Sequence, residues 1–169
     1  MLAARLQTVP AVRMIEVLYD QATAFLERFF APVFDLAVRL WIARVFFNSG
    51  RVKIADWNST IYLFQDEYKV PVLPPEVAAA IGASFELAMP VFLVLGLGAR
   101  FAALPLIGMT LVIQFVLGAR DPAYDNVEHF YWLFLLGMIV VRGAGTLSLD
   151  WLLRNKVFTR SRKAGSVMT

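Results

Sequence analysis

Cysteine is absent from this chain of 169 residues, histidine occurs once, and charged residues make up only 17% of the sequence. Without cysteine the chain cannot form disulfides, thiolate metal sites, iron–sulfur clusters or a dithiol redox pair. With one histidine it cannot hold a haem between two histidines of its own. Any redox reaction would therefore depend on a bound molecule or a partner protein that carries the electrons.

Apolar residues, in contrast, make up 59% of the chain, and the mean hydropathy is +0.64. This composition is too apolar for a soluble single domain and predicts an all-α integral membrane protein with room for about four spans. The net charge of +3 does not indicate nucleic-acid binding. The basic residues gather near the chain ends beside apolar stretches, where we expect them to meet lipid headgroups.

Four stretches are predicted as spans of an integral membrane four-helix bundle: residues 33–50, 75–96, 101–117 and 127–142. As a helix, residues 75–96 would be about 33 Å long, close to the thickness of the hydrocarbon layer. Glu86 lies about 16 Å from the start of this span, near the bilayer midplane. Because an ionisable group is costly in lipid, we expect Glu86 to face other helices, where a cation or hydrogen-bond donor stabilises it.

The first 31 residues have a different pattern. From Pro10 onward, apolar residues recur at helical spacing, with charged residues on the opposite face. The pattern predicts an N-terminal amphipathic interfacial helix that lies on the membrane, with a docking helix for a soluble partner as the alternative. The predicted organisation is thus an interfacial helix over 1–31, a membrane domain over 32–152 and a basic cytoplasmic tail over 153–169.

The first predicted span is unusually polar. Its apolar residues are interrupted by Asp35, Arg39, Arg44, Asn48 and Ser49. Such a helix needs protein neighbours, and Arg44 reaches roughly the same depth as Glu86. We therefore predict an Arg44–Glu86 ion pair, which either marks a substrate or quinone pocket or is a structural pair that fixes the helix register.

The connection between the first two predicted spans has a helical repeat of its own. Its repeating residues are Trp57, Ile61, Phe64 and Tyr68. The spacing predicts a short amphipathic helix at the membrane interface, with Asn58 or Ser59 able to cap it. This helix would either cover a pocket or serve as an interfacial anchor.

Two further polar residues lie in the third and fourth predicted spans. Gln114 is near the far end of the third, and His129 follows Glu128 at the start of the fourth. The Glu128–His129 pair is not a metal motif, because neighbouring helix residues point about 100° apart. No metal site is predicted.

The distribution of lysine and arginine predicts the orientation in the membrane. Ten of these cations fall on one side of the predicted spans: Arg5, Arg13, Arg28, Arg100, Arg142, Arg154, Lys156, Arg160, Arg162 and Lys163. Four fall on the other: Arg51, Lys53, Lys69 and Arg120. By the positive-inside rule, both termini are predicted to be cytoplasmic.

On this topology, six polar residues in or beside the four spans converge on one pocket open to the outer leaflet. We predict catalytic roles for Glu86 and His129. Ligand contacts are predicted for Arg44, Asn48, Lys53 and Gln114. In the competing interpretation these residues only hold the helices together.

Three segments give the chain a resemblance to the DoxX family of small bacterial membrane proteins. They are Arg44–Lys53 (RVFFNSGRVK), Glu86 followed by 95–103 (LGLGARFAA), and Gly143–Asp150 (GAGTLSLD). The resemblance covers roughly residues 33–152. It implies a four-helix integral bundle in the bacterial inner membrane and, through some relatives, a link to quinone-coupled sulfur oxidation or membrane redox complexes.

Two functions are consistent with these features. The chain is either the membrane subunit of a quinone-linked oxidoreductase, in which His129 or Lys53 binds a quinone carbonyl and Glu86 relays protons, or a non-catalytic membrane anchor that assembles a neighbouring enzyme. Both imply a protein partner or a homo-oligomer in the lipid bilayer. A transporter is a weaker alternative, since four spans without an evident inverted repeat would have to dimerise.

Overall fold

A computed structural model describes residues 10–158, and every regular element in that range is a helix. The all-α expectation is therefore confirmed for this part of the chain. The chain divides into two compact units, Met1–Phe34 and Asp35–Thr169. The start of the predicted interfacial helix and most of the predicted basic tail lie outside the described residues.

The first unit contains helix α1 (Pro10–Phe25) and a π-helical turn, Leu26–Phe30. Large apolar side chains of α1, such as Ile15, Leu18 and Tyr19, are exposed. Helix α2 (Ala31–Ala55) follows this turn directly, and Pro32, which has no N–H to donate to the preceding turn, stands where the π pattern gives way to the α pattern. The position of α1 on a membrane surface stays a prediction.

The described part of the second unit, residues 35–158, consists of the rest of α2 and five further α-helices. These are α3 (Trp57–Tyr62), α4 (Pro75–Leu95), α5 (Ala99–Leu111), α6 (Val127–Arg142) and α7 (Leu149–Leu153). Shorter turns of π or 3-10 helix are Leu63–Tyr68, Val112–Leu117, Pro122–Tyr124 and Arg154–Phe158.

Within residues 10–158, two helices are long and apolar enough to cross a membrane. They are Pro75–Leu95, with a mean hydropathy of 1.9, and Ala99–Leu117, with 1.8. Helix α6 has only 16 residues, and α2 carries several charged residues. Neither helix therefore meets both the length and the composition expected of a span. The four helices that we predict as spans thus include two with the length and composition of a span.

The core of the second unit is built where α2, α4, α5 and α6 pack together. Its larger members are Ile42, Phe46, Leu93, Leu106, Leu136 and Ile139. Ala99, Ala102 and Ala103 are buried on α5, which contacts both α4 and α6. Small side chains allow helix backbones to approach closely, which is the usual basis of packing in lipid.

The Gly143–Asp150 segment is anchored to the turn between α4 and α5. Gly96 and Gly98 form this turn with positive φ angles of 65° and 56°. The Gly98 N–H donates to Asp150 Oδ1 at 3.0 Å, and the Asp150 N–H donates to the Gly96 carbonyl at 3.1 Å. A Cβ at Gly145 would lie 2.8 Å from Asp35 Oδ2, so glycine is required there. Gly145 and Asp150 therefore hold this segment against α2 and the α4–α5 turn.

Candidate functional site

Lys53 and Glu86 form a buried ion pair between α2 and α4. The Lys53 Nζ lies 2.8 Å from both carboxylate oxygens of Glu86 and donates to the Ser49 hydroxyl at 2.9 Å. Glu86 is only 3% exposed, as expected for a carboxylate inside a bundle. Gly50 allows the close approach of α2 and α4, because a Cβ there would lie 3.0 Å from the Glu86 Cβ.

Arg44 does not pair with Glu86, so the predicted Arg44–Glu86 contact is wrong. The prediction matched the two residues by depth but not by helix face. Arg44 and Lys53 are nine positions apart on α2, which at about 100° per residue places them on opposite sides of the helix. Ser49, four positions before Lys53, shares the Lys53 face. Lys53 itself lies within α2, since the helix continues to Ala55 instead of ending near residue 50.

The segment after α2 folds back beside this ion pair. We call residues 57–73 the cover segment. Asp56 caps α3 by accepting hydrogen bonds from the Ser59 hydroxyl and N–H, and these bonds hold the pKa of Asp56 below its ordinary value. The Thr60 hydroxyl lies 2.9 Å from the Lys53 carbonyl oxygen, to which it donates. The cover segment is thus bonded to α2 at the residue that holds Glu86.

We call α5 together with the turn Val112–Leu117 the α5 region. A cavity of about 340 Å³ lies between the cover segment, α4 and the α5 region, with Lys53 and Glu86 in its wall. The other lining residues are Phe64, Tyr68, Val70, Leu73, Ala78, Ile81, Gly82, Phe85, Pro105, Gly108, Met109, Val112 and Ile113. Nearly all of these are apolar. The cavity therefore offers an apolar chamber with a charged pair at one place, and the cover segment forms part of its wall.

Tyr68 supplies a further polar group at this cavity. Its ring packs on Phe64 with a centroid distance of 4.7 Å. Burial, followed by the nearby carboxylates of Glu86 and Glu67, raises the pKa of Tyr68 to about 12. The phenol thus stays protonated at neutral pH and can donate a hydrogen bond. Phe64 and Tyr68 were not among the predicted site residues, although their helical repeat in the connection was the signal for a cover.

Arg44 and Asn48 lie at a different place. Both are exposed on α2, and they line a separate cavity of about 370 Å³ whose wall includes Pro90 and Val94 of α4. Neither residue lines the cavity beside Glu86. The ligand contacts predicted for Arg44 and Asn48 in the Glu86 pocket therefore have no geometric support.

Gln114 and His129 form a third polar group. The His129 Nδ1 lies 2.7 Å from Gln114 Oε1, and Gln114 Nε2 donates to Asp125 Oδ1. The His129 ring also packs edge-to-face on Trp132. Neither Gln114 nor His129 lines the cavity beside Glu86. The structure thus distributes the six predicted residues over three places, and a catalytic role for His129 stays a prediction.

A second buried cation, Arg39, lies nearer the start of α2. It is 0% exposed, and its guanidinium donates to the carbonyls of Leu93, Val94 and Leu147. Asp35, also buried, lies 3.4 Å from the Arg142 Nε. Within residues 10–158, no group of three or more His, Asp or Glu side chains is placed to hold a metal ion.

Comparison with known proteins identifies the family. The DoxX family profile matches residues 34–119, about half of the chain, from α2 to the end of the α5 region. An uncharacterized protein of Haemophilus influenzae is 30% identical over 135 residues, which cover 75% of this chain and 87% of that protein. No solved structure matches the chain significantly. The Lys53–Glu86 pair lies inside the matched region, and the chain belongs to the DoxX family.

Proposed function

We propose that this DoxX-family protein crosses the bacterial inner membrane with four spans and binds a quinone-class molecule in the cavity beside Glu86. It would serve as the membrane subunit of a redox complex, with both termini cytoplasmic. The observation that carries the proposal is the Lys53–Glu86 pair in the wall of an otherwise apolar cavity of about 340 Å³. Small-molecule sites typically combine such an apolar chamber with a few placed polar groups.

The hydrogen-bonding capacity of the pair favours the reduced, quinol form. Lys53 has three N–H donors, and the bonds to Ser49 and to the two Glu86 oxygens use them all. Each Glu86 oxygen keeps lone-pair capacity. Glu86 is therefore positioned to accept a hydrogen bond from a ligand hydroxyl, while the protonated Tyr68 phenol can donate to a second oxygen.

The residues of this chain would bind, orient and deprotonate the ligand. A quinone, when bound, supplies two-electron and two-proton redox chemistry. Glu86 can take the hydroxyl proton, and the adjacent Lys53 charge stabilises the carboxylate before that transfer. The apolar side chains of α4 and the cover segment exclude water from the ring. Because the chain has no cysteine and one histidine, the electrons would pass to a partner protein or another bound molecule.

The orientation can be tested by labelling single introduced cysteines, because the chain has no cysteine of its own that would react. Single cysteines at Asp66 and Asp121 should react with a membrane-impermeant thiol reagent from the outside. A cysteine at Arg160 should react only after the membrane is opened. Labelling of the Asp66 variant from the cytoplasmic side alone would contradict the topology.

Ligand binding can be tested by extracting the protein in mild detergent and identifying the quinone that it retains. Glu86→Gln and Tyr68→Phe should lower the retained quinone, because each removes a group that faces the ligand. Glu76→Gln is the matched control, since it removes an exposed carboxylate from the same helix. Equal retention by the Glu86→Gln variant and the wild type, with both still folded, would contradict the proposal.

A non-catalytic anchor is the second candidate, and the exposed apolar residues of α1 favour it. In this case α1 would bind a soluble enzyme or the surface of the membrane beside it. Deletion of residues 10–25 should then release a co-purifying protein, whereas variants of the Glu86 cavity should not. A stable partner complex that contains no quinone would favour this function over the first.

A further inference from the structure

The end of the second unit opposite the cover segment contains a cavity of a different kind. It has a volume of about 450 Å³ and lies where the α4–α5 turn, the end of α6 and α7 meet. Three arginines line it: Arg100 from the first turn of α5, Arg142 at the end of α6, and Arg154 after α7. The cavity beside Glu86, in contrast, contains one cation and one carboxylate.

The charge of this arginine cavity is not balanced by its carboxylates. Asp150 is the one acidic residue in the lining, and its Oδ1 accepts the Gly98 N–H. Asp35 lies outside the lining, with its Oδ1 3.4 Å from the Arg142 Nε and the Arg39 charge also nearby. Three guanidinium groups therefore meet one lining carboxylate, which leaves the cavity with a net positive charge.

The arginines also keep donors for a ligand. Within residues 10–158, Arg100 uses only its Nη2 in hydrogen bonds, to the carbonyls of Val141 at 3.2 Å and Arg142 at 3.5 Å. The Arg142 side chain is 55% exposed despite its contact with Asp35. Arg154 is exposed. A guanidinium has five N–H donors in a planar fork that matches the oxygens of a phosphate group.

Apolar side chains stand in the same cavity. Phe101, Trp151 and Leu153 line it, and all three are exposed. A free phosphate would gain nothing from them, but the glycerol backbone and first acyl carbons of a lipid would cover them. Tryptophan is also enriched at the depth of lipid headgroups.

We propose that the arginine cavity binds a phosphate group, and the apolar residues favour the headgroup of an anionic phospholipid as its source. Basic pockets between membrane helices on the cytoplasmic side are a recognised way of holding such headgroups. The site is separate from the cavity of the proposed quinone function and does not depend on it. Binding would make the stability of the Gly143–Asp150 segment depend on the anionic lipid content of the surrounding leaflet.

The test is a titration of the purified protein in neutral detergent, with thermal unfolding as the readout. The probes are phosphatidylglycerol, phosphatidylcholine and glycerol 3-phosphate. Phosphatidylglycerol should raise the unfolding temperature more than phosphatidylcholine does, and salt should reduce the difference because the guanidinium groups are partly exposed. Competition by glycerol 3-phosphate would identify a free phosphate source, and its failure to compete would identify a lipid.

Arg154→Gln and Arg100→Gln should each lower the apparent affinity for phosphatidylglycerol by about fivefold. This factor corresponds to about 1 kcal/mol, the contribution of one cation at an anionic surface. Arg154→Gln is the cleaner variant, because Arg100 also binds two carbonyls of α6. Arg120→Gln is the matched control, since it removes an exposed cation at the opposite end of the α5 region. Titration curves of Arg154→Gln that coincide with the wild type, or equal stabilisation by phosphatidylcholine, would overturn the proposal.

Discussion

Arg39 and Lys53 are both buried cations on α2, but they donate hydrogen bonds to different kinds of acceptor. Arg39 donates to three main-chain carbonyls, from Leu93, Val94 and Leu147. Lys53 donates to the ionisable side chain of Glu86 and to the Ser49 hydroxyl. A main-chain carbonyl does not take up a proton, and it moves only with the backbone that carries it. A carboxylate can take up a proton, and its side chain can move by itself.

This difference separates a structural cation from a functional candidate. Leu93 and Val94 lie in the last turn of α4, where the Leu93 carbonyl also accepts from the Gly96 N–H, so Arg39 adds a side-chain cap to α4 and ties it to residue 147. Lys53 and Glu86, in contrast, stand beside a cavity with an apolar wall. The buried charge near the start of α2 thus holds the helices together, and the one near its end lies where we propose a binding site.

The largest effect is expected from Arg39→Met. The substitution removes the Arg39 donor from the carbonyls of Val94 and Leu147, leaves the Leu93 carbonyl with only the Gly96 N–H, and removes the positive charge near Asp35. The free energy of unfolding should therefore fall by about 4 kcal/mol. Thermal unfolding in detergent would measure the loss. Arg44→Met on the same helix removes an exposed arginine and should change stability by no more than about 0.5 kcal/mol. Equal effects of the two substitutions would contradict the structural role of Arg39.

Removal of Glu86 should have the next largest effect. Glu86→Ala leaves the buried Lys53 charge unpaired and should destabilise the protein by about 3 kcal/mol. The double variant Lys53→Met with Glu86→Gln removes both charges and should recover much of that loss, while quinone retention stays low. The matching single variants are Lys53→Met and Glu86→Gln, and losses that simply add in the double variant would contradict a coupled pair.

A smaller effect is expected where the cover segment meets α4. A Cβ at Gly82 would lie 2.8 Å from the Phe64 Cζ, so Gly82→Ala should displace this ring and lower stability by about 1 kcal/mol. Gly108 also lines the cavity but has open space around a Cβ, so Gly108→Ala should raise stability through its higher helix propensity. Unfolding temperatures should move in opposite directions for the two variants, and quinone retention should fall in Gly82→Ala.

The sequence was sufficient to predict where α4 begins and ends and where α6 ends, because strong local signals mark these points. Pro75 and Gly96 bounded the predicted second span, and α4 runs from Pro75 to Leu95 with Gly96 in the left-handed conformation. These residues act through their own backbone preferences, which do not depend on the rest of the fold. The same holds for Arg142 and Gly143 at the end of α6.

The partners of the buried charges were harder to predict, because pairing depends on helix rotation as well as depth. Arg44 matches Glu86 in predicted depth but lies on the side of α2 opposite Lys53, and the predicted end of the first span near Gly50 leaves Lys53 in the connection that follows. The contact of Arg39 with Leu147 joins residues that no local pattern connects. Likewise, the repeat of Phe64 and Tyr68 predicted a helix but not that it would fold back on α4.

At neutral pH the smallest effect is expected for Tyr68, beside the Lys53 end of α2, because its titration changes stability only above about pH 10. Because burial and nearby carboxylates raise the pKa of Tyr68 to about 12, the folded state favours the neutral phenol over the phenolate. The resulting contribution to stability should be fully present below about pH 10, the ordinary tyrosine pKa, and should be lost as the pH rises toward 12. The difference in phenolate absorbance between the wild type and Tyr68→Phe would measure the titration of this one residue. A midpoint near pH 10 would mean that the Tyr68 phenol faces water and not the cavity, and that the Lys53 end lacks the donor assigned to it.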